Sequence, residues 1–181
     1  MDASSSTVVL KLLNTGRATA VFQVRSGNPA DLVRNYTVEP GKYLEDSWNA
    51  SPSYNLSVYG PNGFVRYFNG SVGPKTANLD VSSMYETDDR GSIQWTITNL
   101  ASTHADVSVL DGYTGKVSTR LLHPNETFED ELSLDRFHGW YDLIVTVNGD
   151  SSFKYRLGGH VETGKDSFSD PALGCLVTLP G

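Results

Sequence analysis

Two pairs of adjacent carboxylates are the residues of this chain best suited to acid–base chemistry. Glu45-Asp46 and Glu129-Asp130 each begin five residues after a proline. Paired carboxylates can act as general acid and base, or can bind Ca²⁺. In each pair the Asp shares strand parity with apolar neighbours, so it is expected to face inward, where a carboxylate needs hydrogen-bond donors. Because the pair occurs twice, we interpret Asp46 and Asp130 as structural carboxylates that bond a neighbouring loop and hold the turn after the proline.

Other residue types that support catalysis lack the necessary spacing. The single cysteine, Cys175, has no base near it in the sequence. The four histidines form neither a His-x-His nor a His-Glu-x-x-His pattern, and there is no Gly-x-Ser-x-Gly elbow. The glycines are spread through turns rather than gathered in a phosphate-binding loop. The sequence therefore predicts no catalytic residue, no metal and no cofactor.

An aromatic stretch at 137–141 is the best candidate for contact with a ligand or a surface. It contains Phe137, Trp140 and Tyr141, and we add Tyr67 and Arg66 as weaker candidates. Exposed aromatic side chains suit a sugar, a choline group held by cation–π contact, or a membrane interface. The alternative is a loop that folds its tryptophan onto the edge of its own domain.

The sequence contains two similar copies of one unit. Asn14 recurs as Asn99, an offset of 99 − 14 = 85. YNLSV at 54–58 recurs as YDLIV at 141–145, an offset of 141 − 54 = 87. The offset drifts only between strand-like runs, where insertions cost little. A site needed once for chemistry should break such symmetry, and the aromatic stretch is the clearest place where the two copies differ.

Period-2 alternation dominates both copies and predicts an all-β fold. About seven short strands per copy, separated by Gly, Pro and Asn turns, are typical of an immunoglobulin-like or fibronectin-like sandwich. We therefore predict two tandem β-sandwich domains, repeat one at 1–88 and repeat two at 89–181. Strand 64–68 is expected to lie at the edge of a sheet, where it could pair with another strand. The predicted strands are 7–13, 18–25, 34–39, 43–48, 54–59, 64–68, 77–82, 92–98, 104–110, 117–122, 127–132, 141–147, 152–157 and 175–179.

The same parity predicts which side chains form the core. The inward-facing set is Val8, Leu10, Leu12, Phe22, Val24, Leu44, Trp48, Leu56, Val58, Phe64, Phe68, Ile93, Trp95, Ile97, Val107, Val109, Phe128, Leu132, Leu143, Val145, Phe153 and Leu157.

The net charge of the chain limits which macromolecules or surfaces it is expected to bind. The 181 residues carry a net charge of −7. Residues 89–181 hold 7 Lys/Arg and 13 Asp/Glu, which gives 7 − 13 = −6. An acidic second repeat argues against nucleic acid and against capture by an anionic membrane, but leaves a zwitterionic surface open. No apolar run approaches the ~20 residues that span a bilayer.

Four segments together resemble a known family. They are NTGRATAVFQVRSGN (14–28), PGKYLEDSW (40–48), YNLSVYGPNGFVRYFNG (54–70) and GGHVETGKDSFSDPALG (158–174). They resemble the C-terminal repeat domain of bacterial phosphocholine-preferring phospholipases C, and the likeness covers nearly the whole chain.

The resemblance implies an accessory role. In that family an exported catalytic domain of the acid-phosphatase type precedes two such repeats and hydrolyses phosphatidylcholine or sphingomyelin. The present sequence contains no such domain. We expect a non-catalytic segment of a secreted or periplasmic enzyme, which braces its catalytic domain or engages a choline-lipid surface or a partner. The alternatives are a free-standing adhesion or carbohydrate-binding module, and a stand-alone hydrolase that uses Glu129, Asp130 and a histidine.

Overall fold

The fold is all-β, as the alternating pattern predicts. The computed structural model describes residues 7–86, 91–164, 166 and 168–170. Within these residues a single 3₁₀ turn, Asp135–Phe137, interrupts the strands. The predicted strand 175–179 lies outside the described residues. The strands are β1 Thr7–Leu13, β2 Ala20–Ser26, β3 Arg34–Val38, β4 Tyr43–Asn49, β5 Ser53–Tyr59, β6 Val65–Ser71, β7 Leu79–Glu86, β8 Ser92–Asn99, β9 Ala105–Asp111, β10 Val117–Leu122, β11 Thr127–Ser133, β12 Trp140–Val147 and β13 Asp150–His160.

The described strands form one large sheet and two small ones. The large sheet has eight strands in the order β10-β9-β12-β13-β6-β5-β2-β3. The small sheets are β1-β4 and β11-β8-β7. Buried residues of all three sheets belong to one hydrophobic cluster, so the small sheets form the second layer of a β-sandwich.

The large sheet runs without a break from one repeat into the other. β6 of repeat one pairs antiparallel with β13 of repeat two, and Tyr67 lies opposite Arg156. These two residues are equivalents in the duplication, at an offset of 156 − 67 = 89. A strand that pairs with its own equivalent in this way defines a pseudo-twofold axis through the Tyr67–Arg156 pair. The edge expected at 64–68 is therefore paired within the chain itself.

The junction between the repeats is buried as well as hydrogen-bonded. Arg66 and Tyr155 are equivalents, since 155 − 66 = 89, and each contacts the opposite repeat. The Tyr155 hydroxyl lies 2.8 Å from that of Tyr54. The Arg66 guanidinium lies 5.5 Å from the ring centre of Tyr141 and donates to the carbonyl of Gly158 at 2.9 Å. We conclude that the two sandwiches share a continuous core.

β7 links the repeats a second time. It lies before the boundary expected at residue 88, yet it pairs with β8 of repeat two, with Val81 opposite Ile97. A strand from the first 88 residues therefore completes the outer sheet of the second repeat.

Most residues predicted to face inward are buried, with one clear exception. Leu44 is 42% exposed although it lies opposite buried Leu12. It sits near the start of β4, which among the described strands pairs only with β1. The predicted set omits three buried tyrosines, Tyr54, Tyr141 and Tyr155, although each shares strand parity with predicted core residues on its own strand. Four predicted core residues are only partly buried: Phe64, Phe68, Phe128 and Leu132.

Buried hydrogen bonds explain why an asparagine occurs at both position 14 and position 99. Both are buried where a strand ends. The Asn14 amide donates to the carbonyls of Ala18 and Val38, each at 2.8 Å. Asn99 makes the equivalent pair of bonds in repeat two, at 2.8 and 3.1 Å. Each side chain satisfies backbone groups that would otherwise be buried without a partner.

We predict that Asn99→Ala lowers the free energy of unfolding by about 2 kcal/mol, because it leaves buried carbonyls unsatisfied. Asn14→Ala should have a similar effect. Asn35→Ala is the matched control, since this exposed amide only accepts from Gln23 at 3.2 Å and should change stability by less than about 0.5 kcal/mol. Urea unfolding measures all three, and equal effects at 35 and 99 would contradict the assignment.

Candidate functional site

The aromatic stretch lies against its own domain. Phe137 stacks on Tyr113, with ring centres 4.9 Å apart and an interplanar angle of 27°. The Trp140 indole N–H donates to the carbonyl of Phe168 at 2.8 Å. A Cβ at Gly63 would lie 2.7 Å from the Trp140 ring, so the tryptophan packs against backbone of repeat one. Both side chains are half-buried, and their exposed parts are what could meet a ligand.

Two of the predicted contact residues are inside the molecule, which corrects their assignment to the surface. Tyr141 is 1% exposed, and its hydroxyl pairs with that of Tyr85 at 2.6 Å. Burial raises the pKa of Tyr141 well above its usual value. Arg66 is 7% exposed and donates to Ser83 of β7 at 3.0 Å. Both residues hold the junction together and are not available to a ligand from solvent.

Tyr67 is half-buried on the outer face of the large sheet. Its ring packs edge-on against Tyr59, with centres 6.2 Å apart, and Arg156 lies 5.9 Å from its centre. Tyr67 thus lies at the pseudo-twofold axis defined by its pairing with Arg156. The structure does not bring it together with Phe137.

A shallow depression of about 130 Å³ lies between Trp140, Tyr113 and Gly158. Its polar rim is already bonded. Arg156 binds Asp142 through two N–H groups at 2.6 and 2.9 Å, and this hydrogen bonding raises the pKa of Arg156. The Tyr113 hydroxyl donates to Asp170 at 2.8 Å. Pockets for small molecules usually measure about 300–1,000 Å³, so this depression is small for a preformed ligand site.

Asp46 is a structural carboxylate, but its donors differ from those expected. It accepts from the Tyr36 hydroxyl at 2.5 Å and from the Arg34 guanidinium at 2.8 Å. Both donors lie on strand β3 of the large sheet rather than on a loop. The Tyr36 hydrogen bond, aided by Arg34, lowers the pKa of Asp46. Arg34 also covers the Trp48 ring at 3.8 Å, so this group joins the edges of the two sheets.

Asp130 does not repeat this arrangement, which corrects the expectation of two equivalent carboxylates. It is exposed and accepts a hydrogen bond from the amide of the next residue, Glu131, at 2.9 Å. The counterparts of Arg34 and Tyr36, at an offset of 84, are Ser118 and Arg120. The phenol and guanidinium that hold Asp46 therefore have no equivalents at the same positions.

The remaining titratable residues do not form a reactive cluster within the described part of the chain. No group of three or more His, Cys, Asp or Glu side chains is placed there to hold a metal ion. His160 lies 2.9 Å from the His138 carbonyl and 3.1 Å from Glu162, where it fixes the turn beside Trp140. Among the same residues no helix has the length and apolar character needed to cross a bilayer.

These features define a class: a β-sandwich module whose buried polar residues hold its two halves together. A family model described as "Bacterial phospholipase C, C-terminal domain" matches residues 1–71 and 77–160, and the chain belongs to this family. It is 38% identical to a non-hemolytic phospholipase C of Burkholderia pseudomallei over 96% of its own length and 26% of the relative's. It is 37% identical to a hemolytic phospholipase C of Pseudomonas aeruginosa over 90% of its length and 25% of the relative's. The chain thus spans about a quarter of each relative.

We predict that Asp46→Asn lowers stability at pH 7 by at most about 1 kcal/mol, because the ion pair is partly exposed. Since the folded pKa is depressed, the contribution is fully present above the unfolded pKa of about 4 and is lost as the pH falls through the lower folded pKa. Asp130→Asn is the matched control and should have no effect. Urea unfolding of the three proteins between pH 3 and 7 tests this, and a difference that stays constant over this range would contradict it.

Proposed function

We propose that this chain is a non-catalytic accessory module of a secreted or periplasmic bacterial phospholipase C, and that it braces the catalytic domain of that enzyme. The observation that carries the proposal is a group of three exposed apolar side chains on the outer face of the β1-β4 sheet, where the Lys11–Glu45 ion pair lies between Val9 and the other two. Val9, Leu13 and Tyr43 are 54%, 53% and 55% exposed there. Leu13 lies directly opposite Tyr43, which makes these two side chains neighbours.

The three equivalent positions of repeat two are polar. At an offset of 85, Val9 and Leu13 correspond to Gln94 and Thr98. At an offset of 84, Tyr43 corresponds to Thr127. At these three positions the exposed apolar side chains occur in one copy only, which favours a protein partner for that copy.

Bracing is favoured over direct contact with a choline lipid or a sugar. Phe137 and Trp140 already have partners within the chain, and Arg66 and Tyr141 are buried. Titration of the isolated chain with phosphatidylcholine vesicles separates these functions. Saturable binding that Trp140→Ala abolishes would favour the lipid role over bracing.

We predict that the purified chain does not hydrolyse p-nitrophenylphosphorylcholine above the buffer rate. The physical reason is that Asp46 and His160 serve in structural bonds, and that the described residues include no group of three or more His, Cys, Asp or Glu side chains placed to hold a metal ion. The B. pseudomallei relative, assayed in parallel, is the positive control. Turnover that survives repurification and is lost in a Glu129→Gln variant would revive the stand-alone hydrolase.

We also predict that giving the three apolar positions their repeat-two residues weakens the bracing. The variant Val9→Gln, Leu13→Thr, Tyr43→Thr would be made in the full-length enzyme. Its temperature of half-inactivation should fall by about 2–4 °C, since apolar contact with the catalytic domain is lost. Activity at low temperature should not change.

The matched control places the same kind of change on the other repeat. Val117 and Leu121 on β10 are 57% and 50% exposed, and we expect Val117→Thr with Leu121→Thr to have no effect on inactivation. Equal shifts in the two variants, or a shift that melting of the isolated module reproduces, would overturn the proposed docking face.

A further inference from the structure

A row of polar side chains crosses the outer face of the large sheet on repeat one. It consists of Asn35 on β3, Gln23 and Arg25 on β2, Tyr59 on β5 and Tyr67 on β6. In the ladder Gln23 lies directly opposite both Asn35 and Tyr59. Asn35 and Arg25 are exposed and Tyr59 is 38% exposed, so solvent reaches this polar row. These four strands are neighbours about 4.8 Å apart, and the polar row therefore extends for about 14 Å.

The hydrogen bonds within the polar row run in one direction. Nε of Arg25 donates to Oε1 of Gln23 at 2.7 Å, and the Gln23 amide nitrogen donates to Oδ1 of Asn35 at 3.2 Å. The first bond fixes the second, because a guanidinium has no acceptor and the Gln23 oxygen must face it. Within the described residues the terminal nitrogens of Arg25 and the amide nitrogen of Asn35 have no hydrogen-bond partner. What remains for a ligand is a set of donors, which favours an acceptor, above all an anion.

Tyr59 places an aromatic ring beside these donors. The Arg25 guanidinium lies 5.5 Å from its ring centre. The Tyr59 hydroxyl lies 3.4 Å from that of Tyr67, and the two rings meet edge-on with centres 6.2 Å apart. These contacts hold Tyr59 in place, while its exposed part can meet an apolar group. Since no ion pair among the described residues includes Arg25, the polar row combines an unpaired cation with an apolar surface.

The polar row occurs on one repeat only. At offsets of 85 for β2, 84 for β3 and 87 for β5, the positions of Gln23, Arg25, Asn35 and Tyr59 have equivalents in repeat two. None of these equivalents offers an amide, a guanidinium or an aromatic ring: they are Ser108, Leu110, Thr119 and Thr146. A row that the fold itself required would be expected in both copies. Its presence in one copy favours a binding function.

We propose that the polar row binds an acidic oligosaccharide, that is, a chain of sugar rings that carry carboxylates. A carboxylate on the sugar would accept two hydrogen bonds from the terminal nitrogens of Arg25, and a sugar hydroxyl would accept one from Asn35. The apolar C–H face of the sugar ring would pack on Tyr59. Charge agrees with this ligand, because residues 1–88 hold 7 Lys/Arg and 8 Asp/Glu, 7 − 8 = −1, and most of the negative charge lies in repeat two. The site is distinct from the aromatic stretch at 137–141 and does not depend on the bracing role.

Three hexamers separate the features of this ligand in calorimetric titrations of the chain. The hexamer of galacturonic acid has both carboxylates and sugar rings, cellohexaose has only the rings, and hexaglutamate has only the carboxylates. We expect the galacturonic acid hexamer to bind saturably and about 10-fold more tightly than either of the others, since only it meets Arg25 and Tyr59 together. Its affinity should fall as the salt concentration rises, because the contact with Arg25 is exposed to solvent.

Two variants give the polar row the residues of repeat two, Arg25→Leu and Tyr59→Thr. Each should weaken binding of the galacturonic acid hexamer by about 10-fold, since one loses the cation and the other loses the ring. Lys116→Leu is the matched control, because it removes the same charge from an exposed residue of repeat two and should leave the affinity within about twofold. Urea unfolding checks that all three variants are folded.

Three outcomes would overturn the proposal. They are no saturable binding of the galacturonic acid hexamer, equally tight binding of cellohexaose or hexaglutamate, and equal losses of affinity in Arg25→Leu and Lys116→Leu. Because the readout involves no catalysis and none of the changed residues lies on β1 or β4, failure here leaves the docking face to its own test.

Discussion

The antiparallel pairing of β6 with β13 is the interaction on which the rest of the structure depends. It converts two small sandwiches into one eight-stranded sheet and removes two edges that would otherwise expose unpaired backbone groups. It also places Arg66 where its guanidinium can donate to the backbone of the opposite repeat. Without this ladder a cation would be buried with too few acceptors, which is costly. The polar and apolar parts of the junction therefore depend on each other.

A rigid junction fits an accessory role better than a reactive one. Side chains that could perform chemistry elsewhere are here held in fixed bonds: Asp46 by a phenol and a guanidinium, His160 between a carbonyl and a carboxylate, Arg156 by Asp142. Each bond joins different strands or turns. Bonds of this kind restrict the movement of these side chains, which agrees with the proposed bracing role.

Much of the fold could be predicted from the sequence, because alternation of side chains follows directly from strand geometry. Thirteen of the fourteen predicted strands fall on described strands, with ends displaced by a few residues. The sequence could not reveal which edges meet, since pairing of β6 with β13 depends on backbone groups that all residues share. Nor could it separate Asp46 from Asp130, because the difference lies in donors on another strand. Arg66 shares strand parity with Phe64 and Phe68, which favours an inward position. It was predicted at the surface because a charged side chain is not normally expected in a core.

The pseudo-twofold axis has a consequence for how such a chain can evolve. In a homodimer of single repeats, the residue on the axis would face its own copy, and an arginine there would oppose an arginine, which is unfavourable. Two similar halves within one polypeptide have no such demand for self-complementarity. Tyr67 and Arg156 now differ, and Arg156 is free to bind Asp142 on the neighbouring strand. Covalent linkage has thus allowed an asymmetric interface on a symmetric scaffold, and each half can specialise without loss of the contact between them.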